Sequence, residues 1–97
     1  EANDFELLAS WSYDKNAKKM VSYDTPAIAG AKADYIRRRG LGGGMWWELS
    51  GDSPLGSERS LVRKTVDGLG GVGNLDHSMN LLEYPASRYE NVKKGFQ

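Results

Sequence analysis

Leu41-Gly42-Gly43-Gly44-Met45-Trp46-Trp47-Glu48-Leu49-Ser50-Gly51-Asp52 places three glycines before two adjacent tryptophans and a carboxylate. Tryptophan is large, and two in a row exceed what ordinary packing needs. Glycine removes side chains where another group must come close. Leu41 to Leu49 is apolar on both faces, with no polar alternation until Glu48. This predicts a strand buried in a parallel sheet. A strand ending in an aromatic plate and a carboxylate suits a binder of sugar rings. Pyranoses have flat C–H faces that stack on indole and hydroxyls that need polar partners.

Upstream, Thr25 reads as a helix N-cap with Pro26 at the first helical position. Ile28, Ala31, Lys32, Tyr35 and Ile36 follow at helical spacing. Arg37, Arg38 and Arg39 occupy the last turn, where cations suit the helix dipole, and Gly40 ends the helix. Before it, Ser10 to Tyr13 and Met20 to Tyr23 read as two strands of a hairpin, joined by the turn-like Asp14 to Lys18. The first nine residues carry no clear period. Downstream, Ser57 reads as the cap of a second helix with Leu61, Val62, Val66 and Leu69 on one face, ended by Gly70-Gly71. The tail from Asn74 to Gln97 is polar and aromatic, with a turn at Tyr84-Pro85. Helix, strand, loop and helix in succession are the rhythm of an α/β protein.

The 97 residues have zero formal net charge and 39% hydrophobic content, a globular composition. No bulk charge favours nucleic acid, and Arg37-Arg38-Arg39 is too short to make a basic patch. No apolar run approaches the roughly 20 residues of a membrane span. Cysteine is absent, which leaves the redox compartment open. No Asn-x-Ser/Thr sequon is present. The chain begins Glu1-Ala2-Asn3-Asp4, without an initiator methionine. A lone parallel strand also leaves its edges unpaired. Both features lead to the expectation of a segment from a longer protein, whose remaining body is its partner.

Val21-Ser22-Tyr23-Asp24-Thr25-Pro26, Lys32-Ala33-Asp34-Tyr35-Ile36, Gly40-Leu41-Gly42-Gly43 and Met45-Trp46-Trp47-Glu48-Leu49-Ser50-Gly51-Asp52 together resemble the end of a family 18 glycoside hydrolase, a chitinase. Leu82-Glu83-Tyr84-Pro85-Ala86-Ser87-Arg88-Tyr89-Glu90-Asn91 resembles the C-terminal ending of fungal members. The resemblance covers roughly residues 9 to 97. It implies an α/β fold, the C-terminal part of a (β/α)₈ TIM barrel plus the end of an inserted α+β domain. Residues 1–23 would close the inserted domain with the hairpin. Residues 24–97 would supply the last helix–strand–helix part of the barrel and the tail. Leu41 to Leu49 would be the eighth strand, Thr25 to Arg39 the seventh helix and Ser57 to Leu69 the eighth.

By the same resemblance, Trp47 forms the floor of the subsite that holds the reacting sugar, and its peptide bond to Glu48 is cis. If the strand is regular, Trp46 points to the opposite face and packs against the outer helices. Glu48 either touches ligand or supports the local backbone, and Met45 fills the barrel interior beneath the site. Trp11 and Tyr13 either line the groove wall or pack within the hairpin. The Gly42-Gly43-Gly44 spacing matches neither the P-loop nor the dinucleotide fingerprint and predicts close packing instead. His77 is a lone histidine without a ligand-spaced partner and reads as a surface residue. Asp24 reads as a cap or backbone anchor, and Arg37 to Arg39 as a solvated helix end. No metal and no cofactor is expected.

The family's acid lies on the fourth strand in an Asp-x-x-Asp-x-Asp-x-Glu motif, and no such spacing occurs in this chain. The resemblance therefore implies a secreted, endo-acting chitinase whose acid lies upstream. It would cleave β-1,4-linked N-acetylglucosamine polymers with retention, the substrate's own N-acetyl oxygen attacking the anomeric carbon. Chitin or chitooligosaccharide and the rest of the barrel are the expected partners. A chitinase-like lectin that binds without cleaving is the alternative, and an autonomous small binding module is a third reading.

Overall fold

A computed structural model describes residues 1–95; Phe96 and Gln97, at the end of the expected tail, lie outside the described residues. Strands β1 (Ala2–Asp4), β2 (Ala9–Asp14) and β3 (Lys19–Ser22) form one antiparallel sheet in that order. The expected hairpin is β2 with β3, in a register that pairs Trp11 with Ser22 and Tyr13 with Met20. Both turns of the sheet use one device. Asp4 Oδ1 accepts from the N–H groups of Glu6 and Leu7, and Asp14 Oδ1 from those of Asn16 and Ala17. Such Asx turns reverse the chain without glycine. Each closes on a non-glycine residue with positive φ, Leu8 at 50° and Lys18 at 52°.

Helix α1 (Pro26–Arg39) has the predicted bounds. The Thr25 hydroxyl accepts from the Ile28 N–H at 3.3 Å, and Pro26 needs no donor partner in the first turn. Gly40 takes a left-handed φ of 61°, and the N–H groups of Gly40 and Leu41 reach back to Arg37 and Ile36. Buried polar ties fasten the sheet to this helix. Ser10 Oγ donates to the Tyr23 carbonyl at 2.6 Å and accepts from the Thr25 N–H at 3.1 Å. The Thr25 hydroxyl donates to Asn3 Oδ1, which gives β1 a reason to exist that periodicity did not show.

Two predicted elements differ. The second helix, α2, runs Leu61–Gly68 with Ser60 as its cap, not Ser57 to Leu69. Ser57 instead accepts from the Arg59 N–H in the preceding turn. Leu41 to Leu49 forms no strand; a three-residue 3₁₀ turn, Leu49–Gly51, follows it, and the segment is largely exposed. A strand needs a neighbour about 4.8 Å away to receive its hydrogen bonds, and none of the described residues provides one. The parallel sheet is therefore absent among the described residues, and the chain is a mixed α/β segment. A second 3₁₀ turn, Val72–Asn74, and a short helix α3 (Glu90–Lys93) mark the tail.

α1 packs on α2 through small residues. Ile28, Ala29 and Ala33 are buried, whereas Tyr35 is 42% exposed, so the buried stripe is rotated from the predicted face. The rotation follows from closeness, because Ala33 faces Gly68 where a larger side chain would hold the helices apart.

Candidate functional site

The segment after α1 lies against α1 and α2 at Gly44 and Trp46 and leaves them at Trp47. Its inner side is set by Gly44, whose missing Cβ would stand 3.6 Å from Ile36 Cδ1 and 3.8 Å from Thr65 Cγ2. These are ordinary van der Waals distances, so the expected close packing does not require glycine even at Gly44. Gly42 and Gly43 have open space beside them, and Gly43 needs glycine for its φ of 149°. Trp46 is half-buried in a hollow shared with Ala29, Lys32, Ile36 and Thr65. Trp47 points away from these helices and is 90% exposed. The peptide between Trp47 and Glu48 is cis.

Trp47 lies on a groove of about 390 Å³. One wall is the end of the hairpin, Ser22 to Asp24; another is the start of α2, Leu61 and Val62; the floor and lip are the Met45–Asp52 loop. Met45, Trp47 and Glu48, the three predicted site residues, are brought together here. Met45 is 81% exposed, because no described element covers it. Trp11 and Tyr13 line no part of the groove.

The groove carries three carboxylates, Asp24, Glu48 and Asp52, and each is engaged. Asp24 binds Lys32 Nζ through both oxygens, at 2.7 and 2.9 Å, so it anchors α1 rather than capping it. Glu48 Oε1 accepts from the Ser50 hydroxyl at 2.7 Å, and its carbonyl accepts from the Gly51 N–H. Asp52 carries no site signal of its own in the sequence, yet it is the most connected of the three. Its Oδ1 accepts from the Leu61 N–H at 2.7 Å, and its Oδ2 from the Val62 N–H at 3.1 Å and the Ser60 hydroxyl at 3.0 Å. Partial desolvation pushes the Asp52 pKa up, but the Leu61, Val62, Ser60 and Ser53 hydrogen bonds outweigh it and hold the carboxyl below its usual range. No local pattern signals a cap supplied from nine residues away.

At the groove's edge, Tyr23 hydrogen-bonds to Ser12 and donates to Glu1 Oε2, which also pairs with Arg59 at 2.7 Å. His77 is exposed and donates through Nε2 to the Val72 carbonyl. Arg38 pairs with Asp34, Arg39 covers the Tyr35 ring, and Arg37 donates to the Gly68 carbonyl, so the solvated helix end also ties α1 to α2. The arrangement offers a flat aromatic face with hydroxyl and carboxylate acceptors beside it. It does not present an unengaged carboxylate placed to act as an acid.

Residues 3–52 match the family described as Glycosyl hydrolases family 18. Chitinase 1 of Aphanocladium album is 44% identical over 85 residues, 88% of this chain and 19% of the relative. Endochitinase 1 of Metarhizium anisopliae is 42% identical over 84 residues, 87% of this chain and 19% of the relative. Sporulation-specific chitinase 2 of Saccharomyces cerevisiae is 32% identical over 69 residues, 71% of this chain and 14% of the relative. The chain thus spans about a fifth of the length of the first two. The matched residues include both tryptophans and the groove loop, and the chain belongs to glycosyl hydrolase family 18.

Proposed function

We propose that this chain is the C-terminal segment of a longer, secreted chitinase and supplies the sugar-stacking floor of its active site. The observation that carries the reading is Trp47, an indole 90% exposed on a groove beside Glu48. An exposed indole loses free energy to water unless a ligand face covers it, and the C–H face of a pyranose is such a cover. The names of the relatives, chitinases in each case, support hydrolysis over binding alone. The name of the Metarhizium relative supports cleavage within the polymer.

In this reading, residues 1–23 close an inserted α+β domain and residues 24–97 complete a (β/α)₈ barrel. Leu41 to Leu49 becomes its last strand once the remainder of the barrel supplies neighbours. The acid that protonates the leaving oxygen comes from that remainder. Trp47 holds the ring while the N-acetyl oxygen attacks the anomeric carbon and configuration is retained. Glu48 supports the loop through Ser50, and Met45 is covered by the barrel interior.

The test is Trp47→Ala in the full-length protein. The expected result is a fall of about 30-fold in kcat/KM on chitooligosaccharides, about 2 kcal/mol of lost stacking in the transition state. Unchanged kcat/KM counts against the floor. Internal cleavage is checked by the viscosity of a soluble chitin derivative, which should fall well before reducing ends accumulate.

A further inference from the structure

We propose that Asp52 is a positioning residue for the Trp47 platform, a role that rests on the reading of Trp47 given above. Among the described residues Trp47 makes few contacts of its own, so within this segment its direction is set by the two ends of its loop. On the near side, Trp46 is wedged against α1 and α2. On the far side, the one turn of 3₁₀ helix from Leu49 to Gly51 leads directly into Asp52, with the Asp52 N–H closing on the Leu49 carbonyl at 3.1 Å.

The Asp52 carboxylate then takes two backbone N–H groups of α2 and the hydroxyl of its cap. Ser60 alone already caps the helix by accepting from the Arg63 N–H, so Asp52 is not needed merely to begin α2. It adds a charged, multidentate clasp between the loop and the helix, and charge-assisted hydrogen bonds are the stronger and geometrically stricter kind. α2 is in turn seated on α1 through Gly68 and Ala33. The loop is thus held at both ends to one rigid helix pair, and its outermost residue is Trp47. A platform built this way keeps its direction without ligand, which is what stacking in a transition state needs.

The experiment is a double-mutant cycle in the full-length protein, with kcat/KM measured on a soluble chitooligosaccharide. Asp52→Ala is expected to lower kcat/KM about 10-fold when Trp47 is present and to add no further loss when Trp47→Ala is already in place. Equal losses in both backgrounds identify a general structural role and overturn the proposal, as does Asp52→Ala with unchanged kcat/KM. If Trp47→Ala alone leaves kcat/KM unchanged, the floor reading itself has failed and takes this inference with it. Should Asp52→Ala not fold, the isosteric Asp52→Asn retains one acceptor and is measured in the same cycle. A loss of about 3-fold confined to the Trp47 background supports the clasp, and an equal loss in both backgrounds, or none, overturns it.

Discussion

Gly68 faces Ala33 so closely that a Cβ added to Gly68 would stand 2.8 Å from the Ala33 Cβ. Neither of those carbons can swing aside, so the two helix backbones must part to admit a methyl group. Helix propensity favours alanine by about 1 kcal/mol, whereas overpacking costs about 1–3 kcal/mol. Gly68→Ala should therefore destabilise the full-length protein, by about 1 kcal/mol. Gly30, inside α1, is the control. Its added Cβ would stand 3.2 Å from Lys64 Cε, the far end of a flexible side chain. Gly30→Ala should stabilise by about 0.5–1 kcal/mol. Denaturant unfolding of both variants checks the pair, and the same sign for both would refute this account of the helix contact.

Trp46 and Trp47 should separate stability from activity. Trp46→Ala removes a half-buried indole from the hollow between α1 and α2 and should cost about 2 kcal/mol of stability. Trp47→Ala removes a ring that makes few contacts with the described residues and should cost less stability than Trp46→Ala while lowering activity. Thermal unfolding beside kcat/KM for both variants decides the matter, and a larger loss of stability in Trp47→Ala would reverse the assignment of the two rings.

Asp52 should leave a signature in acid. Its folded-state pKa is lowered by the α2 hydrogen bonds and the Ser60 hydroxyl, against an unfolded value of about 3.9. A carboxylate lowered on folding contributes stability that is present above the unfolded pKa and is lost as pH falls through the folded one. The wild-type melting temperature should therefore drop more steeply than that of Asp52→Asn as pH falls below about 4. Parallel curves for the two proteins would show that the clasp contributes no ionic stabilisation.

The 97-residue chain alone should show no cooperative thermal transition and no hydrolysis of chitin. Its radius of gyration is 18.0 Å, against about 13 Å for a compact domain of this length. The buried apolar residues among those described are Ile28, Ala29 and Ala33, while Met79 is 93% exposed and Leu81 75%. So small a core does not offset chain entropy. Differential scanning calorimetry tests the first claim and release of reducing sugar the second. A sharp calorimetric transition would support an autonomous module instead.

α1 was legible to the residue because its signals are local: Thr25 and Pro26 start it, and Gly40 ends it within one turn. The β2–β3 hairpin was legible for the same reason, its alternation and the Asp14 turn lying side by side in the chain. β1 was not, because three residues carry too little period, and its place depends on Asn3 reaching the Thr25 hydroxyl 22 positions away. The start of α2 lies three residues beyond the expected one, since Ser57 and Ser60 look alike as caps and only the fold shows Ser57 engaged by the Arg59 N–H and Ser60 by the Arg63 N–H.

The amino-acid order alone determined the family pattern around Trp46, Trp47 and Asp52 and the opposite directions of the two indoles, because adjacent side chains in extended chain point apart. Tertiary structure decided which side of that segment faces the helices, which carboxylate holds its end, and whether Leu41 to Leu49 is a strand at all. Those outcomes turn on partners distant in sequence: α2 for Asp52, Ala29 and Ile36 for Trp46, and a neighbouring strand for the backbone of Leu41 to Leu49. A sequence can show that such a group needs a partner, but only the folded arrangement supplies one or leaves the place open.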